Sequence, residues 1–177
     1  FFPLRALAII YSDLARGIPT ILVVALLGFG APALQLTGVP TSRVFWAGVG
    51  LILVYSGYVA EVYRAGIESV HPSQEAAARS LGLTRFQAMR RVILPQAIRR
   101  VIPPLLNDFI GLQKDTALVS TLGVVEAFNQ SMIDSNATFT YGSYLAAAAL
   151  FVAITIPLAR LTDWLTARDR RRRQTGA

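Results

Sequence analysis

The sequence predicts an all-α, polytopic membrane helix bundle with a folded cytoplasmic loop. Composition is the first of three grounds: 54% of residues are hydrophobic, 15% are charged, and mean hydropathy is +0.50. Soluble domains lie nearer a quarter charged. The second is three long runs without a charge: 17–42, 44–60 and 135–159. A hydrocarbon core of about 30 Å takes roughly 20 mostly apolar helical residues. A buried helix of a soluble α-protein accounts for one such run but not for three. The third ground is that the basic residues gather at the two ends and in one internal stretch.

Four membrane spans are expected in order. The first covers about Ile18–Leu34, the second Val44 to about Gly66, and the third, less regular, about Ala97–Phe128. The fourth runs from about Tyr141 to Trp164, with Pro157 expected to bend it. Between the second and third spans, roughly residues 72–95 form a cationic segment of two short helices. Pro72 or Ser73 opens the first helix, since Pro suits the first turn. Glu75 in that turn opposes the positive helix end, and Ala76, Ala77 and Ala78 are strong helix formers. Gly82 tolerates positive φ and ends the helix. Thr84 and Gln87 make a capping-box pattern for the second helix, which Pro95 is expected to limit. His71 is a loop residue at the helix start.

All basic residues but Arg43 and Lys114 lie before the first span, around the second connection, or from the end of the fourth span onward. The positive-inside rule therefore makes the Arg-rich loop and both ends cytoplasmic. The basic tail Arg168–Arg173 serves as an orientation signal that also meets anionic lipid headgroups, which removes the case for nucleic acid. Cysteine is absent, so disulfide and thiol chemistry are excluded. No Gly-rich phosphate loop with Lys and Ser/Thr occurs, and no metal cluster or nucleophile–base pair stands out in the cytoplasmic segment. No catalytic role is expected, and no cofactor bound by this chain.

A basic helix–Gly–helix unit between membrane spans is either a docking handle for a soluble partner or a helix lying on headgroups. The small Ala face and Gly corner favour docking. The segment Glu75–Pro95, EAAARSLGLTRFQAMRRVILP, resembles the EAA loop of ABC importer permeases: Gly82 is followed after nine residues by Val92-Ile93-Leu94-Pro95, similar to the family's Ile-x-Leu-Pro. Counted back from Gly82, Ala76 stands at the motif's Glu position and Glu75 one residue early. The resemblance extends to Asp13–Pro19 (DLARGIP), Tyr58–Val70 (YVAEVYRAGIESV) and Asn107–Leu118 (NDFIGLQKDTAL), which look like the polar amino-acid subfamily. It covers about Pro3 to Arg168. Members usually carry one more membrane helix upstream, so the chain is expected to be the permease domain, residues 1–177, without that helix.

The resemblance implies a coupling loop gripped by a dimer of cytoplasmic ABC ATPases, with ATP and Mg bound there. The residues it assigns to coupling are Glu75, Ala76, Ala77, Ala78, Gly82, Leu83, Arg85 and Phe86. It further implies an extracytoplasmic solute-binding protein, delivering at the loops near Gln35–Arg43 and Gln130–Tyr141, an amino-acid solute, and a second permease copy or paralogue. The location implied is a bacterial inner membrane.

The third span carries Pro103-Pro104, then Asn107, Asp108, Lys114 and Asp115. Disturbed helix at membrane depth is tolerated only against protein or a water-filled cavity, and intramembrane charge is a functional signal by default. Asp108 and Asp115, seven apart, share a helix face if the helix continues and suit an ammonium group; the other reading places Lys114 and Asp115 at a membrane boundary in water, or in internal pairs. The resemblance puts solute contacts around Asn107-Asp108-Phe109 and Lys114-Asp115-Thr116, with Ala117 where Ser is commoner. Tyr55 and Tyr58 face the route or anchor at the interface. Glu61 pairs with Arg64 one turn on. Glu126 is a gate residue or simply periplasmic. Gly28, Gly30, Gly48, Gly50 and Gly57 suit close helix packing or face lipid. The function expected is the permease subunit of an ATP-driven, binding-protein-dependent importer of polar amino acids. The alternative is an ion-gradient-driven secondary transporter or channel.

Overall fold

A computed structural model describes residues 2–174, with side chains described over 3–168. The described chain is helical with no strand: α1 Phe2–Gly17, α2 Thr20–Ala33, α3 Arg43–Glu68, α4 Pro72–Ser80, α5 Arg85–Ala88, α6 Leu94–Asp115, α7 Ala127–Thr138 and α8 Gly142–Gln174. A π-helical turn, Met89–Ile93, joins α5 to α6, and a 3₁₀ segment, Thr116–Leu122, follows α6.

The expected four spans are corrected in two places. By length and composition, α3 and α8 are long and apolar enough to cross a membrane, and α1 with α2 makes a third candidate, bent by 96°. Helix α2 alone has 14 residues, about 21 Å of rise, too short for a full crossing. Pro19 stands at its N-cap and breaks the run from α1, which the charge count could not foresee. The third expected span is not one helix to Phe128. Helix α6 stops at Asp115, and the chain turns at Gly123 (φ 74°) before α7. At 22 residues α6 is about 33 Å long, yet too charged to pass as an apolar span. The stretch near Gln130 expected as loop is mostly α7. Glu126 is that helix's N-cap, its carboxylate accepting from the Phe128 and Asn129 amides at 2.8 and 2.7 Å.

Helix α3 is the hub, packed against α1, α2 and α6, while α8 rests on α6 and α7. Between helices, lipid offers no hydrophobic penalty, so close packing of small residues carries the association. A Cβ on Gly50 would stand 3.3 Å from the Val24 backbone, and one on Gly57 2.6 Å from Ala15 Cβ. Gly28 abuts Leu122, whereas Gly30 and Gly48 have open space beside them. The inner core is Val24, Ala47, Leu51 and Leu122, with Leu112, Val119 and Val124 against it. Arg43 fastens this end: Nη1 donates to the Leu122 carbonyl at 3.1 Å, and the guanidinium sits 5.5 Å from the Phe29 ring centre. Most of the large apolar residues on α8 are exposed, a face for lipid or another chain. The side chains of Arg170–Arg173, expected to meet headgroups, lie outside the described residues.

Candidate functional site: a carboxyl pair and a basic elbow

Two places collect the residues of interest. The first lies where α3 faces α6. Tyr55 donates its phenol to Asp115 Oδ2 at 3.0 Å, and its ring is 5.6 Å from that of Tyr58. Gly111 makes room, since a Cβ there would lie 3.0 Å from the Tyr55 oxygen. Asp108, two turns before Asp115, is half-buried, and its Oδ2 is shut off from solvent with no hydrogen-bond partner among the described residues. A buried carboxylate oxygen without a donor is costly. Gln113 Oε1 receives a 3.3 Å bond from Thr155, which ties α8 to the same region.

The sequence candidates separate here. Asp115 and Tyr58 meet at Tyr55, and Asp108 lies two turns before Asp115 on α6. Asn107 is exposed. Thr116 is exposed and its hydroxyl donates to the Gln113 carbonyl at 2.7 Å. Lys114 is exposed and forms no ion pair among the described residues. Sequence reasoning missed the Gln113–Thr155 tie, because a lone Gln carries no spacing signal, and the Arg43 clamp, because its partner is a backbone carbonyl far along the chain.

The second place is the elbow α4–α5. His71 caps α4, its Nδ1 accepting from the Ser73 amide at 3.2 Å, with Pro72 in the first turn. The helix ends in a Schellman pair: Leu83 N–H donates to the Ala78 carbonyl at 3.2 Å, and Gly82 N–H to Arg79 at 3.0 Å. Gly82 sits at φ 84°. Both bonds of the Thr84–Gln87 capping box are made. Glu75 reaches across the corner to Arg85 at 3.6 Å, a pair exposed enough to position more than to stabilise.

Pro95 does not limit the second helix. The helix runs through it into α6, because the preceding turn is π-helical: the Leu94 amide reaches back five residues to Met89. A widened turn relieves the clash of a proline ring with the carbonyl four residues earlier. Ala78 is also corrected. It is buried at 4% exposure, so it packs the elbow and offers nothing to a partner. Ala88 is buried likewise, over a small core of Val70, Ile93 and Ala97. The outward surface is Ala76, Ala77, Gly82, Arg85 and Phe86, joined by Leu81, which the sequence did not single out; Leu83 is half-buried. Leu81 and Phe86 are 84% and 72% exposed, amid Arg79, Arg85, Arg90 and Arg91.

Behind the elbow, Arg64 of α3 pairs with Glu61, as the spacing implied, and with Glu68, while Arg16 of α1 lies 3.8 Å from Glu61. Arg100 Nη1 donates to the Ser69 carbonyl and hydroxyl. These contacts tie the feet of α1, α3 and α6 together.

The family model described as "Binding-protein-dependent transport system inner membrane component" matches residues 1–171. The probable amino-acid permease protein YxeN of Bacillus subtilis (strain 168) is 40% identical over 90% of this chain and 72% of its own length. The probable glutamine ABC transporter permease protein GlnM of the same organism is 37% identical over 95% of this chain and 77% of its own. A solved structure described as a crystal structure of an amino acid ABC transporter with histidines superposes with a TM-score of 0.84 at 36% identity, covering 95% of this chain and 78% of that one. In such systems ATP hydrolysis and solute capture belong to separate subunits, so this multi-pass chain is a non-enzymatic transport component and the self-contained transporter is set aside. The chain belongs to the family of binding-protein-dependent transport system inner membrane components.

Proposed function

We propose that this permease subunit imports polar amino acids, with the solute's ammonium group received at Asp108 and Asp115 beside Tyr55 and Tyr58. The observation that carries this is the unpartnered, solvent-shielded Oδ2 of Asp108 on the face where Tyr55 already holds Asp115. An ammonium supplies up to three donors, and a charge-assisted bond in a dry site is among the stronger polar contacts. The names of YxeN, GlnM and the solved transporter support an amino-acid cargo.

The elbow is the handle for a dimer of ATPase subunits that hold ATP and Mg. Exposed Phe86 and Leu81 fill an apolar groove there, and the surrounding arginines set orientation. The elbow and both chain ends lie on the cytoplasmic side by the distribution of arginine. A second permease copy or paralogue covers the open face of the bundle, and an extracytoplasmic binding protein delivers solute near Gln35–Arg43 and Gln130–Tyr141.

The test is uptake by the full importer in proteoliposomes. Asp108→Asn keeps the shape but removes the charge. Uptake should fall by about tenfold or more, as expected for loss of a charged hydrogen bond, while partner binding and basal ATP hydrolysis persist. Uptake at the wild-type rate refutes the assignment.

A further inference from the structure

A cavity of about 580 Å³ opens between the cytoplasmic feet of α3, α6 and α8, well within the size of small-molecule sites. It contains neither Asp108 nor Asp115, yet it lies on the same helix faces. On α3, Tyr55 and Tyr58 continue at helical spacing to Val62, Ala65 and Ser69. On α6, Asp115, Gly111 and Asp108 continue to Pro104 and Arg100. The last three α3 residues and the last two on α6 line the cavity.

Its wall offers both signs of charge. Arg100 is braced on Ser69 through Nη1, which leaves its Nε and Nη2 unengaged among the described residues, and Arg99 makes no ion pair among them. Pro103 and Pro104 have no N–H, so the Arg99 and Arg100 carbonyls, four residues earlier, lose their helical donors. Arg99, Arg100, Pro103 and Pro104 line one wall of the cavity, with Glu61 on the opposite helix. That set matches a molecule with a carboxylate and an ammonium.

We propose that this cavity is a second, release-side station for the amino-acid zwitterion, its carboxylate held by Arg99 and Arg100 and its ammonium by the carbonyls that Pro103 and Pro104 leave free. It rests on the transport reading above and deepens it. About 12 Å of helix separates Asp108 from Arg100, so the station is distinct from the carboxyl pair. Solute accumulated inside the cell occupies it and slows further import.

The test uses the complete importer in liposomes whose lumen stands for the cytoplasm, loaded with rising L-glutamine or L-histidine. Initial uptake of the same labelled amino acid is followed from outside. Wild-type uptake should fall as luminal amino acid rises. In Arg100→Gln the half-inhibiting luminal concentration should rise about tenfold, with Arg100→Lys restoring part of the sensitivity and the external KM unchanged. Arg99→Gln, at an exposed position, should shift it the same way and guards against misfolding of the first variant. No luminal inhibition, equal inhibition in all variants, or inhibition that follows phosphatidylglycerol content instead overturns the proposal. Failure of the transport reading is seen separately, as wild-type uptake in Asp108→Asn or no uptake of either amino acid.

Discussion

Replacing Gly82 with alanine isolates the mechanical role of the elbow. Gly82 has φ 84°, and a Cβ built on it meets nothing within 4 Å. The cost is therefore one of backbone conformation, about 1–2 kcal/mol for an L-residue held left-handed. That depletes the native corner roughly 5–30-fold relative to competing turns. When the corner relaxes, the Leu83–Ala78 and Gly82–Arg79 bonds open, and α4 loses its seat against α5. Asparagine visits the left-handed region more readily, and valine least of all. Uptake per ATP hydrolysed, measured in proteoliposomes with the partner ATPase, should thus fall in the order Gly, Asn, Ala, Val. Membrane insertion should be unchanged throughout, since the corner lies outside the spans. Equal coupling in all four proteins, or a loss that tracks side-chain volume, would refute the reasoning.

Two further outcomes test the packing. A Cβ on Gly28 would stand 2.3 Å from Leu122 Cδ1, and Leu122 is fully buried. Gly28→Ala should lower stability by about 1–3 kcal/mol, and adding Leu122→Ala should make the pair less than additive, as read by thermal unfolding in detergent. Arg43→Ala removes the bond to the Leu122 carbonyl and the contact with Phe29. A loss of about 1.5–3 kcal/mol is expected, which Arg43→Lys should repair only in part because it lacks the guanidinium fork; full repair by Lys would show that charge alone matters.

The elbow was the most legible part of the chain. Its caps, corner and second helix start are written in short-range chemistry: His71–Pro72, Gly82, and Thr84 with Gln87. Membership of the membrane class followed from charge-free length, and the Asp108–Asp115 face from a seven-residue spacing. The π-helical passage through Pro95 was not legible, because a proline reads as a stop unless the turn before it widens, and only neighbouring packing decides that. The bend at Pro19 and the turn at Gly123 escaped for a related reason. Hydropathy reports how apolar a run is, and is blind to its direction in space.

From its sequence alone, this protein was determined to be a helical membrane subunit with a basic, Gly-cornered handle and two carboxylates spaced to share a helix face, since each of these rests on composition or on spacing within one helix. Only the tertiary structure decided that Tyr55 holds Asp115 while Asp108 is left without a donor, that Ala78 is packing and Leu81 surface, and that Pro103 and Pro104 share a cavity with Arg99 and Arg100. Those outcomes depend on which faces of α3, α6 and α8 meet. Residues far apart in the chain set them by close packing, and no local pattern encodes them.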